Sequence, residues 1–173
     1  FAEKVDFLSE YKSIRWHFIG HLQRNKTRLI VGRSDLFHGL DSVRLARSIE
    51  SAAGGTGKPV DCLVQINVSA EDTKFGITPT ELPALADVLS RIEDIRIRGL
   101  MTLAAPDLKE DALRQQFQRL RKLRDSMVSR GFVEASMLSM GMSSDFEIAI
   151  EEGATHVRIG SAIFGSRSLV RPD

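Results

Sequence analysis

Two runs in the last third of the chain carry residue types suited to holding an anion. Leu138-Ser139-Met140-Gly141-Met142-Ser143-Ser144-Asp145 passes from an apolar strand pattern into the start of a helix pattern, and Arg158-Ile159-Gly160-Ser161 repeats the arrangement one strand later. At a helix start the first N–H groups lack intrahelical acceptors and the helix dipole favours negative charge. Serine hydroxyls add donors there, and Gly160 lets a ligand approach the backbone closely. Serine is also a common N-cap, so Ser143 and Ser144 taken singly read equally well as caps. Two adjacent Gly/Ser turns at the same end of neighbouring strands favour an anion site.

Arg158 is the most informative single residue. It interrupts a strand pattern of Val157, Ile159, Ile163 and small residues. A guanidinium cannot shed its charge and is costly to bury without partners. Either it forms an internal ion pair, with Asp145 or Glu147, or its donors face a ligand acceptor. His17 and His38 each sit in apolar strand patterns and read as hydrogen-bonded core residues rather than bases. Asn67 ends an apolar strand pattern, where a polar side chain can orient a ligand, and Lys74 in the following loop reads as a solvated surface lysine. The glycosylation-type triplet Asn67-Val68-Ser69 is incidental in a reducing compartment. No three ligands stand at a recognisable metal spacing, and no G-x-S-x-G elbow occurs, so neither a metal centre nor a Ser-His-Asp hydrolase is expected.

These residues must be positioned by alternating elements. Strand patterns fall at 15–20, 35–40, 60–68, 95–103, 135–141 and 156–164, several of them nearly continuous in apolar residues, as in strands covered on both faces. Between them lie helical patterns. The clearest spans 108–130, where Leu113, Phe117, Leu120, Leu123 and Met127 form one apolar stripe. Thr78 with Glu81, Asp107 with Glu110 and Ser144 with Glu147 match the capping-box spacing, with Pro79 at a first helical position. Gly131 and Gly153 are placed to end helices.

Six consecutive strand–helix units imply parallel strands with right-handed crossovers, hence an α/β class. A doubly wound sheet would usually carry G-x-G-x-x-G after its first strand, and none is present. A (β/α)8 TIM barrel needs about 200 residues or more. The six units then read as units three to eight, with residues 1–173 forming a single barrel domain. The chain opens at Phe1 in a helical pattern, and six strands alone would expose two edges. An upstream segment of about two strand–helix units is therefore expected.

Composition sets the outer limits. The 173 residues are 42% hydrophobic, enough for a substantial core. Their 24 basic and 23 acidic side chains leave a net charge of +1, which supplies no field for nucleic acid. No apolar run is long enough to span a bilayer, so no membrane role is expected. The single cysteine, Cys62, lies within an apolar run, which argues against a disulfide framework and for a reducing compartment. A cytoplasmic location follows as the expectation.

Several blocks, in order, together resemble the pyridoxal phosphate homeostasis protein family, itself similar to the N-terminal barrel of alanine racemase. They are Trp16-His17-Phe18-Ile19-Gly20-His21-Leu22-Gln23-Arg24-Asn25-Lys26, Gln65-Ile66-Asn67-Val68-Ser69 with Lys74 and Gly76, Arg98-Gly99-Leu100-Met101, 138–145, and 157–165. The resemblance covers about 15–167. It implies a barrel that holds pyridoxal 5′-phosphate at the C-terminal mouth. Ser143 and the Gly160–Ser161 turn would bind the phosphate with backbone help at Met142, and Arg158 would face the pyridine nitrogen. The family's cofactor lysine lies on the first barrel strand, upstream of Phe1, and no lysine here falls within a strand pattern. If the protein began at Phe1, binding would be weak and non-covalent.

An arginine at the ring nitrogen keeps that nitrogen unprotonated and weakens the cofactor as an electron sink. The resemblance thus implies a non-catalytic carrier in vitamin B6 homeostasis, with pyridoxal-phosphate-dependent apoenzymes as receivers, and the absence of an appended domain from the sequence makes a monomer the simple expectation. Two other readings share these residues: a racemase-like enzyme of the same cofactor, and a barrel enzyme acting on a phosphosugar. The racemase's extra β domain and its tyrosine have no counterpart in this sequence, whose one tyrosine, Tyr11, precedes the first strand pattern.

Overall fold

The computed structural model describes residues 1–8, 10–11, 13–54, 56–69, 75–105 and 107–165; Lys74 lies outside them. Six strands, β1 (His17–Phe18), β2 (Leu36–Leu40), β3 (Val60–Gln65), β4 (Ile95–Met101), β5 (Met137–Met142) and β6 (His156–Arg158), form one sheet in chain order. Every neighbouring pair is parallel. The helices are α1 (Ala2–Phe7), α2 (Val43–Ala53), α3 (Leu82–Leu89), α4 (Glu110–Ser129), α5 (Phe146–Glu151) and the single turn α6 (Ser161–Phe164), with a 3-10 segment at Arg24–Leu29.

The sheet is curled into a half-barrel. Laid flat, its outer strands would stand about 24 Å apart, five spacings of roughly 4.8 Å. Instead the His17 ring on β1 and the His156 ring on β6 have centroids 5.6 Å apart. A bulge contributes to the curl. Cys62 pairs with Ile97 but Leu63 with Gly99, so β4 carries one extra residue, Arg98. Gly99 is required at this point, because a Cβ there would lie 1.9 Å from the Met137 carbonyl oxygen.

Alternation sorts the side chains. Val60, Cys62, Val64, Ile95, Ile97, Leu100, Leu138 and Met140 join the main core with Ile49, Leu85, Phe117 and Leu120 from the helices. Each large side chain so buried contributes about 1.5–3 kcal/mol. Leu113, Phe117, Leu120 and Met127 of the expected α4 stripe are buried, and Leu123 packs half-buried against them. Leu36, Leu63 and Met101, with Met137, form a second, small apolar layer. Cys62 is a free, buried thiol whose pKa burial pushes up.

The helix ends divide into confirmed and corrected expectations. Gly131 follows α4 with φ 101°, while Gly131 N donates to Val128 O and Phe132 N to Met127 O. Gly153 follows α5 with φ 93°, and Gly153 N and Ala154 N bond Ile150 O and Ala149 O in the same pattern. Both are Schellman closures. The three capping boxes are corrected. Glu81 Oε2 takes both the backbone N–H and the hydroxyl of Thr78, so these residues close a turn and α3 starts at Leu82, with Pro83 rather than Pro79 in its first turn. Asp107 has φ 57°, and α4 starts after Lys109. The cap position of α5 is Asp145, not Ser144.

All six strands are shorter than expected, β1 and β6 by the largest fraction. Among the described residues β1 has one neighbouring strand and pairs with it only at His17 and Phe18. β6 ends at Arg158 because Gly160 O accepts from Ile163 N and Phe164 N, turning the expected strand end into α6.

Candidate functional site

Three strand ends meet around a cavity of about 730 Å³. Its lining includes Ala104 after β4, Met142 at the end of β5, Ser143 and Asp145 after it, and Gly160 and Ser161 after β6. Gly141 brings the start of α5 to this place. Its φ is 91°, and a Cβ would stand 2.6 Å from Ala149 Cβ, so the helix rests directly on the strand end. The far end of α5 is tied to α4: Arg114 meets Glu151 and Glu152, and Arg121 Nη1 donates to Glu152 O at 3.0 Å.

Ser143 joins the two loops. Its Oγ accepts from Gly160 N at 3.1 Å and from Ala162 N at 3.3 Å, leaving its own O–H proton available to donate. The amides of Ser143, Ser144 and Ser161 have no backbone acceptor among the described residues. A Cβ at Gly160 would meet nothing within 4 Å, so the cavity reaches the bare backbone there. The Met142 amide is engaged, donating to Asp145 Oδ1.

Arg158 lies beside this cavity rather than in its lining. Its Nη1 donates to Ser139 Oγ at 2.7 Å and its Nη2 to Thr102 O at 2.8 Å. Its Nε is buried and has no hydrogen-bond partner among the described residues. Among the described residues no carboxylate stands within ion-pair distance of it, so the internal ion pair with Asp145 or Glu147 is not formed. Burial lowers its pKa to about 10, and the Asp145 charge works the other way. The guanidinium therefore stays cationic near neutral pH.

Three histidines cluster near Arg158, His38 buried and His17 and His156 half-buried. His38 Nδ1 lies 2.9 Å from Ser139 Oγ, and His38 Nε2 lies 3.1 Å from His17 Nδ1. His156 Nδ1 is 2.8 Å from Thr155 Oγ1. Burial is the main cause that lowers all three pKa values, and His38 falls to about 3, helped by His17, His156 and Arg158. His38 is thus a hydrogen-bonded core residue, as expected, whereas His17 is hydrogen-bonded but only half-buried.

The structure brings Met142, Ser143, Gly160 and Ser161 into one cavity with Arg158 adjoining. Asn67 is not in that lining; it is buried at the end of β3, its N–H on Ile77 O and its Oδ1 accepting from Ser69 Oγ. Sequence reasoning missed Ser139 and Thr102 as the holders of Arg158. The available signal was Ser139 itself, a hydroxyl at an inward position of an apolar strand.

The chain matches the model of the alanine racemase N-terminal domain over residues 5–168. It is 40% identical over 167 residues to a pyridoxal phosphate homeostasis protein of Aquifex aeolicus, covering 94% of this chain and 73% of that one. This chain belongs to the pyridoxal phosphate homeostasis protein family.

Solved structures agree with the family. A protein of unknown function from Bifidobacterium adolescentis superposes with TM-score 0.83 at 38% identity, covering 87% of this chain and 61% of that one. PipY of Synechococcus elongatus, in a structure with pyridoxal phosphate bound, gives TM-score 0.85 at 32% identity, covering 94% of this chain and 76% of that one. The residues here fit such a group. A buried guanidinium N–H without a partner suits an aromatic ring nitrogen, and a hydroxyl with free amides beside bare glycine backbone suits a phosphate.

Proposed function

We infer that this chain holds pyridoxal 5′-phosphate and stores or delivers it without turnover, within the cytoplasm. The observation that carries this reading is Arg158, held by two neutral oxygens while its buried Nε–H has no acceptor. In this reading Nε–H donates to the pyridine nitrogen. Ser143 O–H and the amides of Ser144 and Ser161 hold the phosphate, Gly160 admits it, and Met142 helps once Asp145 releases its amide. Asn67 acts from the neighbouring strand end on the loop beside the ring. The bound group supplies a reactive aldehyde, and a cation at its ring nitrogen restrains its use as an electron sink.

Residues 1–173 count as one domain, six of the eight units of a (β/α)8 barrel. Support comes from the curled, in-order parallel sheet and from the greater length of the relatives. The carrier acts as a monomer that passes its cargo to apoenzymes dependent on the same cofactor. The PipY structure with the cofactor bound supports the choice of ligand.

Equilibrium titration with pyridoxal 5′-phosphate and with pyridoxal tests this. Saturable binding is expected, with pyridoxal at least about tenfold weaker because it lacks the charged phosphate contacts. Equal affinity for the two, or no saturation, would contradict the site. Added amino acids should retain their α-protons in heavy water; exchange would contradict a carrier without turnover.

A further inference from the structure

With the partners that the described residues supply, the buried polar atoms near Arg158 admit one arrangement of protons. Ser139 is fully buried, and its Oγ has two partners, Arg158 Nη1 at 2.7 Å and His38 Nδ1 at 2.9 Å. Guanidinium can only donate, so Oγ accepts from it. The hydroxyl proton then has one acceptor, His38 Nδ1. Were Nδ1 itself protonated, that hydroxyl proton would be buried with nowhere to go, which costs about 1–3 kcal/mol. With Nδ1 accepting, the neutral His38 ring carries its proton on Nε2 and donates it to His17 Nδ1, 3.1 Å away. His17 in turn carries its proton on Nε2, and it is half-buried, within reach of water.

We propose that Ser139, His38 and His17 form a one-directional hydrogen-bond line that positions Arg158, holding its Nη1 so that the guanidinium keeps one orientation beside the cavity. The line crosses the concave face from β6 through β5 and β2 to β1. Thr102 O anchors the second guanidinium nitrogen at 2.8 Å, and Thr102 Oγ1 is itself fixed on Ile66 O at 2.8 Å. A guanidinium held at both Nη atoms is left with one orientation, and preorganised donors bind better than mobile ones. His38 and Ser139 are positioning residues here, since neither lines the cavity. The lowered pKa of His38 keeps its ring neutral, as the line requires. This inference rests on pyridoxal phosphate being the ligand of Arg158, but the proton arrangement can be tested without it.

The decisive experiment is a long-range proton–nitrogen correlation spectrum of the ring nitrogens in the unsubstituted, nitrogen-labelled chain near neutral pH. Only four histidines contribute. His38 and His17 should both be Nε2–H tautomers with unprotonated Nδ1. A proton on His38 Nδ1 would reverse the line and overturn the proposal. Pyridoxal phosphate titration supplies the second arm. Ser139→Ala and His38→Leu should each weaken binding about five- to tenfold, the loss of one buried hydrogen bond. His38→Asn, whose side-chain oxygen can replace Nδ1 as acceptor, should stay within about twofold of the parent. A packing role alone would rank Leu at or above Asn, and that order would overturn the proposal. Expected tautomers without any cofactor binding would refute the ligand and keep the line. Intact binding in His38→Leu beside a loss in Arg158→Ala would refute the line and keep the ligand.

Discussion

Arg98 and Arg158 both stand on the concave face of the sheet, and their partners differ in kind. Arg98, at the β4 bulge, has Asp61 Oδ2 3.8 Å from its Nε and Glu134 Oε2 2.9 Å from its Nη1. Arg96 joins the same two carboxylates, at 3.6 and 3.8 Å. Arg158, at the opposite end of the strands, meets only a hydroxyl and a carbonyl among the described residues. Both Nε atoms lack a hydrogen bond, so an orphaned atom alone does not mark a site. The difference is charge: Arg98 is neutralised within the protein, whereas Arg158 keeps an uncompensated cation beside a cavity. One end of the face is closed by ion pairs, and the other holds a cation with neutral partners beside a cavity.

The strongest way to break this comparison is Arg158→Ala. It should weaken pyridoxal phosphate about 100-fold, a charged hydrogen bond being worth up to about 3 kcal/mol. Its melting temperature should move little, and a large drop in melting temperature would place Arg158 with Arg98 as a structural residue.

Acidification is next. His38 has a folded pKa of about 3 against 6.5 for the free side chain, so the unfolded chain binds a proton that the folded chain refuses. Stability is full above pH 6.5 and is lost as pH falls toward 3. Between pH 7 and 5 denaturant titration should show a loss of about 2 kcal/mol, much reduced in His38→Asn.

Arg98→Ala is the mirror experiment. It leaves Asp61 and Glu134 with Arg96 as their one remaining cation among the described residues, and because these groups are partly exposed the cost should be about 1 kcal/mol of stability. Cofactor affinity should be unchanged, and a matching loss of binding would erase the distinction between the two ends. Ser143→Ala is the smallest change. One donor to the phosphate is lost, worth about 1 kcal/mol or roughly fivefold in affinity, and equal affinity would remove Ser143 from the site.

What the sequence disclosed follows from how local each signal is. Gly131 and Gly153 were legible as helix ends because a left-handed residue after a helix is a one-position requirement. Arg158 was legible because a guanidinium in an apolar strand demands an explanation. The capping boxes were not, since the same spacing also serves a tight turn, as Thr78 and Glu81 show. Least legible was the support of Arg158. His38 and Ser139 are 101 residues apart and meet only because the sheet curls, and the curl depends on a bulge that no periodicity announces.

The most direct measurement follows the side-chain Nε–H resonances of Arg158 and Arg98 while pyridoxal 5′-phosphate is added. The Arg158 signal should shift with saturation and vanish in Arg158→Ala, while the Arg98 signal stays fixed. Saturable binding that leaves the Arg158 Nε–H unmoved would contradict the account.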